Sequence, residues 1–166
     1  GGWAMRAGTA SSGNGNTSAQ QEVLAAMKGN FGTTLAAPSI TSARFITSAL
    51  AAGSSKTVTV EVTWDERVTI AGSPQITLAN GNQGSGSGRT CVLTYTGTGS
   101  TTNRKRFTAT NITVAEDDII TLGGGSQADI ALNSGTLSDT TVGGTGTAAL
   151  RVLTALSAQT QTTTAA

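Results

Sequence analysis

Two clusters of acidic residues have the side-chain types that could do chemistry. Asp65-Glu66 follows the alternating segment "VTVEVTW", and Glu116-Asp117-Asp118 precedes "IITL". A pair of carboxylates hydrolyses glycosides when both flank a substrate cleft at a set separation. Both clusters stand between predicted strands, where acidic residues are common in turns. Only 4% of the residues are aromatic, which leaves few side chains to form a sugar platform. We therefore expect two turns and no enzyme.

Nucleophilic and metal chemistry is limited by the absence of histidine and by a single cysteine, Cys91. Without histidine, Ser-His-Asp catalysis, Cys-His catalysis and the common zinc sites are excluded. Cys91 shares one face of "RTCVLTYT" with Leu93 and Tyr95, which predicts a buried, inert thiol. Calcium takes oxygen ligands from loops, so Asp117 and Asp118 are the candidates for a structural Ca²⁺, although the EF-hand spacing is absent. We predict no cofactor and no metal site.

Two further segments resemble binding motifs at first sight. "GNQGSGSGRT" is rich in glycine like a phosphate loop, but Gln83 replaces the first required glycine and Arg89 replaces the lysine, so a hairpin loop is predicted. Alternation in "RKRF" puts Arg104 and Arg106 on one face and Lys105 with Phe107 on the other. This basic run is either a solvated strand start or a contact with an acidic neighbouring subunit. The net charge of +1 gives no basic face that would bind nucleic acid.

The elements that position these residues are predicted to be short strands. Thr, Ser and 22 glycines dominate the chain, a mixture typical of strands joined by turns. "SKTVTVEVTW" alternates most clearly, and at least seven such segments lie between residues 38 and 153. We predict an antiparallel β-sandwich in which the core includes Val58, Val60, Val62, Trp64, Leu93, Tyr95 and Phe107. No apolar run approaches the length of a bilayer span.

The N-terminal segment, residues 1–37, does not show this alternation. Within it, "TSAQQEVLAAMKGN" predicts a short helix over about 18–28, with Ser18 as N-cap, Gln21 completing a capping box and Gly29 after the last turn. So short a helix is marginal alone and needs a surface to pack on. The anchoring candidates are Trp3, Val23, Leu24, Met27 and Phe31. A disordered leader is the alternative, and residues 154–166 are expected to be a flexible tail.

The order of motifs over roughly residues 56–140 resembles the immunoglobulin-like (Big-type) modules that are found in large bacterial surface proteins and in phage structural proteins. The shared features are an alternating strand that ends in an aromatic residue, an "E-x-V" turn, "G-x-P-x-(I/L)-x-L", "Y-x-G-x-G" before an aromatic strand, a "D-x-I" strand start and "G-T-L-x-D". In this chain they are Trp64, Glu66, Val68, Gly72, Pro74, Ile76, Leu78, Tyr95, Gly97, Gly99, Phe107, Asp118, Ile120, Gly135, Thr136, Leu137 and Asp139.

This resemblance implies an immunoglobulin-like sandwich and a role in display and binding. With one module, an N-terminal arm and no recognisable signal peptide, we expect a phage virion protein of the capsid-decoration type, assembled in the host cytoplasm. Its expected partners are capsid proteins or neighbouring copies, reached through residues 1–37, and its loops are candidates for contact with a host surface or glycan. The alternatives are a neck or tail protein of the virion and an adhesive module on a bacterial cell surface.

Overall fold

A computed structural model describes residues 2–5, 22–26, 37–82, 89–125, 127–139 and 147–166. The chain divides into two units, Gly1–Leu35 and Ala36–Ala166. In the first unit, Gly2–Met5 (β1) pairs with Glu22–Ala26 (β2) in an antiparallel two-stranded sheet. The predicted helix is therefore wrong over Glu22–Ala26, while 18–21 and 27–28 lie outside the described residues. The predicted capping residues are not enough to make this segment helical. Pairing with a second strand supplies the backbone hydrogen bonds that a short, marginally stable helix would have to make within itself.

The second unit contains nine strands within the described residues. They are Ile40–Phe45 (β3), Gly53–Trp64 (β4), Val68–Ala71 (β5), Gln75–Asn82 (β6), Arg89–Thr96 (β7), Arg104–Val114 (β8), Asp118–Leu122 (β9), Thr136–Asp139 (β10) and Gln159–Thr162 (β11). Neither unit contains a helix in the part of the chain that the structure describes.

Seven of these strands form one antiparallel sheet in the order β11-β9-β6-β7-β8-β4-β3, and β10 pairs with β5 in a separate two-stranded sheet. The large sheet curls until its two edge strands meet, since side chains of β11 donate hydrogen bonds to carbonyls in and after β3. The predicted all-β, antiparallel fold is confirmed. The finer prediction, two sheets facing each other in an immunoglobulin-like sandwich, stays a prediction.

The core lies on the concave side of the curled sheet and includes Trp64 and Phe107. In β4, successive side chains point to opposite faces of the sheet, so every second side chain from Val58 to Trp64 is directed into the core. Of the seven core candidates, the residues with no exposed surface are Val58, Val60, Val62, Trp64, Leu93 and Phe107. Tyr95 is partly buried, and its ring lies edge-on to Phe107 with centroids 5.9 Å apart. The indole N–H of Trp64 donates to the carbonyl of Leu150 at 3.0 Å, which fixes the irregular segment 147–153 against the core.

The C-terminal segment differs from its predicted form. Residues 154–166 are not simply a flexible tail, because β11 pairs with β9 and the backbone of Thr163 bonds Asp118. The segment "TAALRVL", whose apolar spacing is typical of a strand, forms no named strand and has an isolated bridge between Ala148 and Ser138 together with single backbone hydrogen bonds to other segments. The apolar residues of "TAALRVL" are spaced as in a strand, whereas "QTQT" is polar throughout. The polar segment nevertheless forms β11, because it pairs with the edge of β9.

Two glycines from the family-like motifs meet where β5 ends and β10 begins. Gly72 has φ +76°, a conformation that favours glycine, and a Cβ built on it would lie 2.7 Å from Cα of Gly135. The backbones therefore approach more closely than any side chain allows. A Cβ built on Gly135 would in turn lie 2.5 Å from the carbonyl oxygen of Ala71, so both positions of this chain require glycine.

Candidate interaction surfaces

The acidic triplet Asp65-Glu66-Arg67 is a turn between β4 and β5. The carboxylate of Asp65 accepts the backbone N–H of Ser39 at 2.8 Å, and the N–H of Asp65 donates to the carbonyl of Ser39 at 3.0 Å. This reciprocal pair joins the end of β4 to the start of β3. The Asp65 carboxylate thus has a structural partner, as expected for a turn residue.

The second acidic cluster also shapes a turn, between β8 and β9. The buried carboxylate of Asp118 accepts the N–H of Ala115 at 2.9 Å, while Asp117 is exposed with φ +61°. Within the described residues, no three or more His, Cys, Asp or Glu side chains are grouped closely enough to hold a metal ion. Asp118 is engaged in the turn, so the two candidate calcium ligands do not form a cradle with other carboxylates.

The most distinctive charged group is one that sequence patterning missed. Glu61, on the outer face of β4, has a side chain only 4% exposed and lies between two arginines from neighbouring strands. Arg44 of β3 contacts one carboxylate oxygen at 2.8 Å, and Arg106 of β8 contacts the other at 3.2 Å. Burial alone would raise the pKa of Glu61, but the hydrogen bonds and charges of the two arginines outweigh it and hold that pKa below its ordinary value.

The basic run Arg104-Lys105-Arg106 is divided between the two faces of the sheet as alternation predicts. Lys105 is buried beside Phe107 on the inner face, where its ammonium donates to the carbonyl of Thr101 at 2.8 Å and burial lowers its pKa. Arg104 borders a surface depression together with Arg44 and Glu61. Three arginines against one carboxylate leave an excess of positive charge on this outer face, which we call the arginine face: Arg44, Glu61, Arg104 and Arg106.

Cys91 is buried in β7, and burial raises the pKa of its thiol to about 11. At neutral pH the thiol is therefore protonated and a poor nucleophile. This matches the inert thiol that its place in the alternating segment predicts.

The meeting line of the two sheet edges forms a second surface, which we call the seam: Ala43 and Thr47 on one side, Gln159, Gln161 and Thr164 on the other. Gln159 donates through its side-chain amide to the carbonyl of Ala43 at 2.6 Å, and Gln161 to that of Thr47 at 3.1 Å. Only near Thr164 is the bonding between backbones, with Leu50 and Ala52. Elsewhere along the seam, the two strand edges are joined by side-chain hydrogen bonds, whereas neighbouring strands in a sheet are normally joined by backbone hydrogen bonds.

Three of the five anchoring candidates in the N-terminal segment lie in the two described strands of the first unit. Trp3 lies in β1, and Val23 and Leu24 lie in β2, where Ala4 is paired with Val23. Met27 and Phe31 lie outside the described residues, as do residues 83–88 of the glycine-rich loop. Trp3, Val23 and Leu24 thus lie on the two strands of one sheet, and Val23 and Leu24 are in a strand where a helix was expected.

Comparison with protein-family models, with curated proteins and with solved structures gave no match. In the described part of the chain, no helix is long and apolar enough to cross a membrane.

Proposed function

We propose that this chain is a non-enzymatic structural protein of a phage virion. The unit Ala36–Ala166 is displayed on the particle, and the N-terminal segment attaches it to the capsid or to a neighbouring copy. The observation that carries the proposal is the division of the chain into a unit with its own core and a separate two-stranded sheet. An isolated pair of strands is marginally stable in water, so it gains stability by pairing with or packing on something else.

The strand order supports the immunoglobulin-like part of the proposal. In an immunoglobulin constant-type domain one sheet has the order A-B-E-D, and strand C pairs with F in the other. The order β3-β4-β8-β7 follows the first pattern, and the pair β5–β10 follows the second. The departure is that β6, β9 and β11 continue the first sheet beyond β7. Such a scaffold supplies a rigid displayed body whose loops differ between relatives.

The chemistry of the described charged groups also fits a structural role. Asp65 and Asp118 support turns, Glu61 is paired with two arginines, and Cys91 is protonated. In each case the group that resembles a catalytic residue has a structural task. A neck or tail location would use the same arm and the same displayed unit, and the assay below applies to those particles too.

The experiment that tests this function compares the full chain with a variant lacking residues 1–35. Phage particles without this protein are mixed with each form and sedimented. We expect the full chain to co-sediment with the particles and the truncated form to stay in solution while keeping a cooperative thermal transition. Normal particle binding by the truncated form would show that the arm model is wrong.

A matched control is Gly97→Ala in the full chain, since a Cβ at Gly97 meets no atom within 4 Å. This variant should bind particles as the unmodified protein does. Binding to intact host cells, and not to particles, by both forms would favour the adhesive module of a bacterial surface protein.

A further inference from the structure

The seam is an incomplete strand pairing. β3 is hydrogen-bonded to β4 on one side only, and β11 is hydrogen-bonded to β9 on one side only. Between them, the carbonyls of Ala43 and Thr47 are satisfied by the amide groups of Gln159 and Gln161. Backbones joined through a glutamine side chain lie farther apart than the ~4.8 Å spacing of directly paired strands. The seam therefore has two strand edges facing each other across a gap.

The gap contains a buried polar atom without a partner. Gln161 is only 9% exposed, its amide nitrogen binds Thr47, and its Oε1 accepts no hydrogen bond from the described residues. A buried unsatisfied acceptor costs about 1–3 kcal/mol, so a group that brings a donor to this position is favoured. At the end of the seam away from Thr164, a depression lined by Thr41, Ser42 and Leu156 opens to the surface.

We propose that the seam accepts an extended strand from a second copy of this chain, and that the strand is Glu22–Ala26. This inference rests on the proposed function, because it names the acceptor for the arm. Backbone N–H groups of the incoming strand would take over the carbonyls of Ala43 and Thr47, and the two glutamines would be released. Such addition of a strand to a sheet edge obtains affinity from main-chain hydrogen bonds.

Three observations select this occupant. Glu22–Ala26 is already extended, and within the described residues its strand neighbour is Gly2–Met5, so entering the seam gives it two strand neighbours in place of that one. It carries the acidic residue Glu22, whereas Arg44 on β3 is 60% exposed and belongs to the positively charged arginine face. The chain from Ala26 to Ala36, which would link the docked strand to its own second unit, spans up to ~33 Å when extended.

The test is thiol cross-linking of two variants of the full chain, Ala25→Cys and Ser42→Cys, each of which adds one cysteine, mixed in equal amounts without particles. Cys91 needs no replacement because its thiol is buried and protonated. Ser42 is exposed and lines the open end of the seam. With a short bismaleimide, we expect at least about tenfold more heterodimer than for the control mixture, because strand pairing raises the effective thiol concentration.

The control mixture pairs Ala25→Cys with Thr90→Cys, since Thr90 is also exposed but lies on β7, the central strand of the seven-stranded sheet. Equal cross-linking in the two mixtures overturns the seam proposal. A third protein carries both Ala25→Cys and Ser42→Cys, and cross-linking within one chain at low concentration would overturn the choice of a second copy as the source. If the seam test fails while arm-dependent particle binding persists, the proposed function stands and the arm binds elsewhere.

Discussion

Glu61 is a buried carboxylate on the outer face of the sheet, and its ion pairs with two arginines offset the free-energy cost of burying its charge. Removing one member of such a group is costly because the others lose a charge-assisted hydrogen bond. Arg44 and Arg106 keep 60% and 34% of their side-chain surface exposed, so water offsets part of that loss. Stability therefore depends more on Glu61 than on either arginine.

Glu61→Gln should lower the free energy of unfolding by about 1.5–3 kcal/mol, the range for hydrogen bonds to charged groups. Urea unfolding monitored by circular dichroism measures this change. The matched control is Glu66→Gln in the neighbouring turn, for which a change within about 0.5 kcal/mol is expected. Equal losses in the two variants would show that Glu61 has no special role.

The contribution of Glu61 should also depend on pH. Its pKa in the folded protein lies below the ordinary value of 4.5, so the unfolded state binds the proton more readily. The stabilisation is complete above that ordinary value and is lost as the pH falls through the lower folded pKa. The difference in unfolding free energy between the unmodified protein and Glu61→Gln should therefore stay constant near neutral pH and shrink in acid. A difference that grows in acid would contradict the assigned direction.

Gly72→Ala tests the close approach of β5 and β10. A methyl group there would collide with Gly135 and impose a side chain on a residue with φ +76°. We expect a loss of about 1–3 kcal/mol, which is the cost of a strained backbone conformation. Gly97→Ala is the control, since nothing lies within 4 Å of its added Cβ. Thermal unfolding midpoints of the two variants should differ clearly, and similar midpoints would contradict the collision.

At the scale of elements, local alternation was sufficient where a strand buries apolar side chains. β4, β7 and β8 follow this rule, because each has buried apolar residues at alternate positions, among them Val60, Leu93 and Phe107. β11 could not be predicted, because its polar residues are held by the edge of β9 and by glutamine bonds to residues 116 and 114 positions away. Glu61 was missed for the same reason: Arg44 and Arg106 lie 17 and 45 positions away, and nothing local indicates that they meet.

Ending the chain after Ala158 tests whether β11 belongs to the folded sheet. The truncation removes the ladder with β9 and leaves the carbonyls of Ala43 and Thr47 without their glutamine donors. At about 1 kcal/mol for each net hydrogen bond, the unfolding free energy should fall by at least about 2 kcal/mol. Removing only Ala165 and Ala166, which are exposed, should leave it unchanged. If the form that ends at Ala158 kept the full unfolding free energy, the prediction of a flexible tail would stand.

At the scale of the whole molecule, the proposed function gives attachment to the first unit, while the second unit has a core of its own. The buried apolar residues of that core lie in Ala36–Ala166. If the proposal holds, changes in the first unit affect partner binding and leave the unfolding of the second unit unchanged. The loss of alternation before Pro38 predicts a separate N-terminal segment, but the predicted helix is wrong over Glu22–Ala26, because that strand pairs with a segment about twenty residues away.

The double variant Val23→Asp, Leu24→Asp should keep the thermal midpoint of the second unit and lose binding to particles. Under the proposed function the arm packs on a partner, and added charges oppose burial there. Val62→Asp is the contrasting variant, since Val62 has no exposed surface and a charge there should prevent folding. A lowered midpoint in the arm variant would show that the two units are not independent in stability.

The indole of Trp64, buried and bonded to Leu150, also makes the protein its own optical reporter. The chain has two tryptophans, Trp3 in the first unit and Trp64 in the second. Replacing Trp3 by phenylalanine would leave a fluorophore that reports only on the second unit, and its emission should shift to longer wavelength when water reaches the ring. The complementary variant, Trp64→Phe, would report on the first unit alone, so that parallel samples of the two variants separate events in the first unit from unfolding of the second.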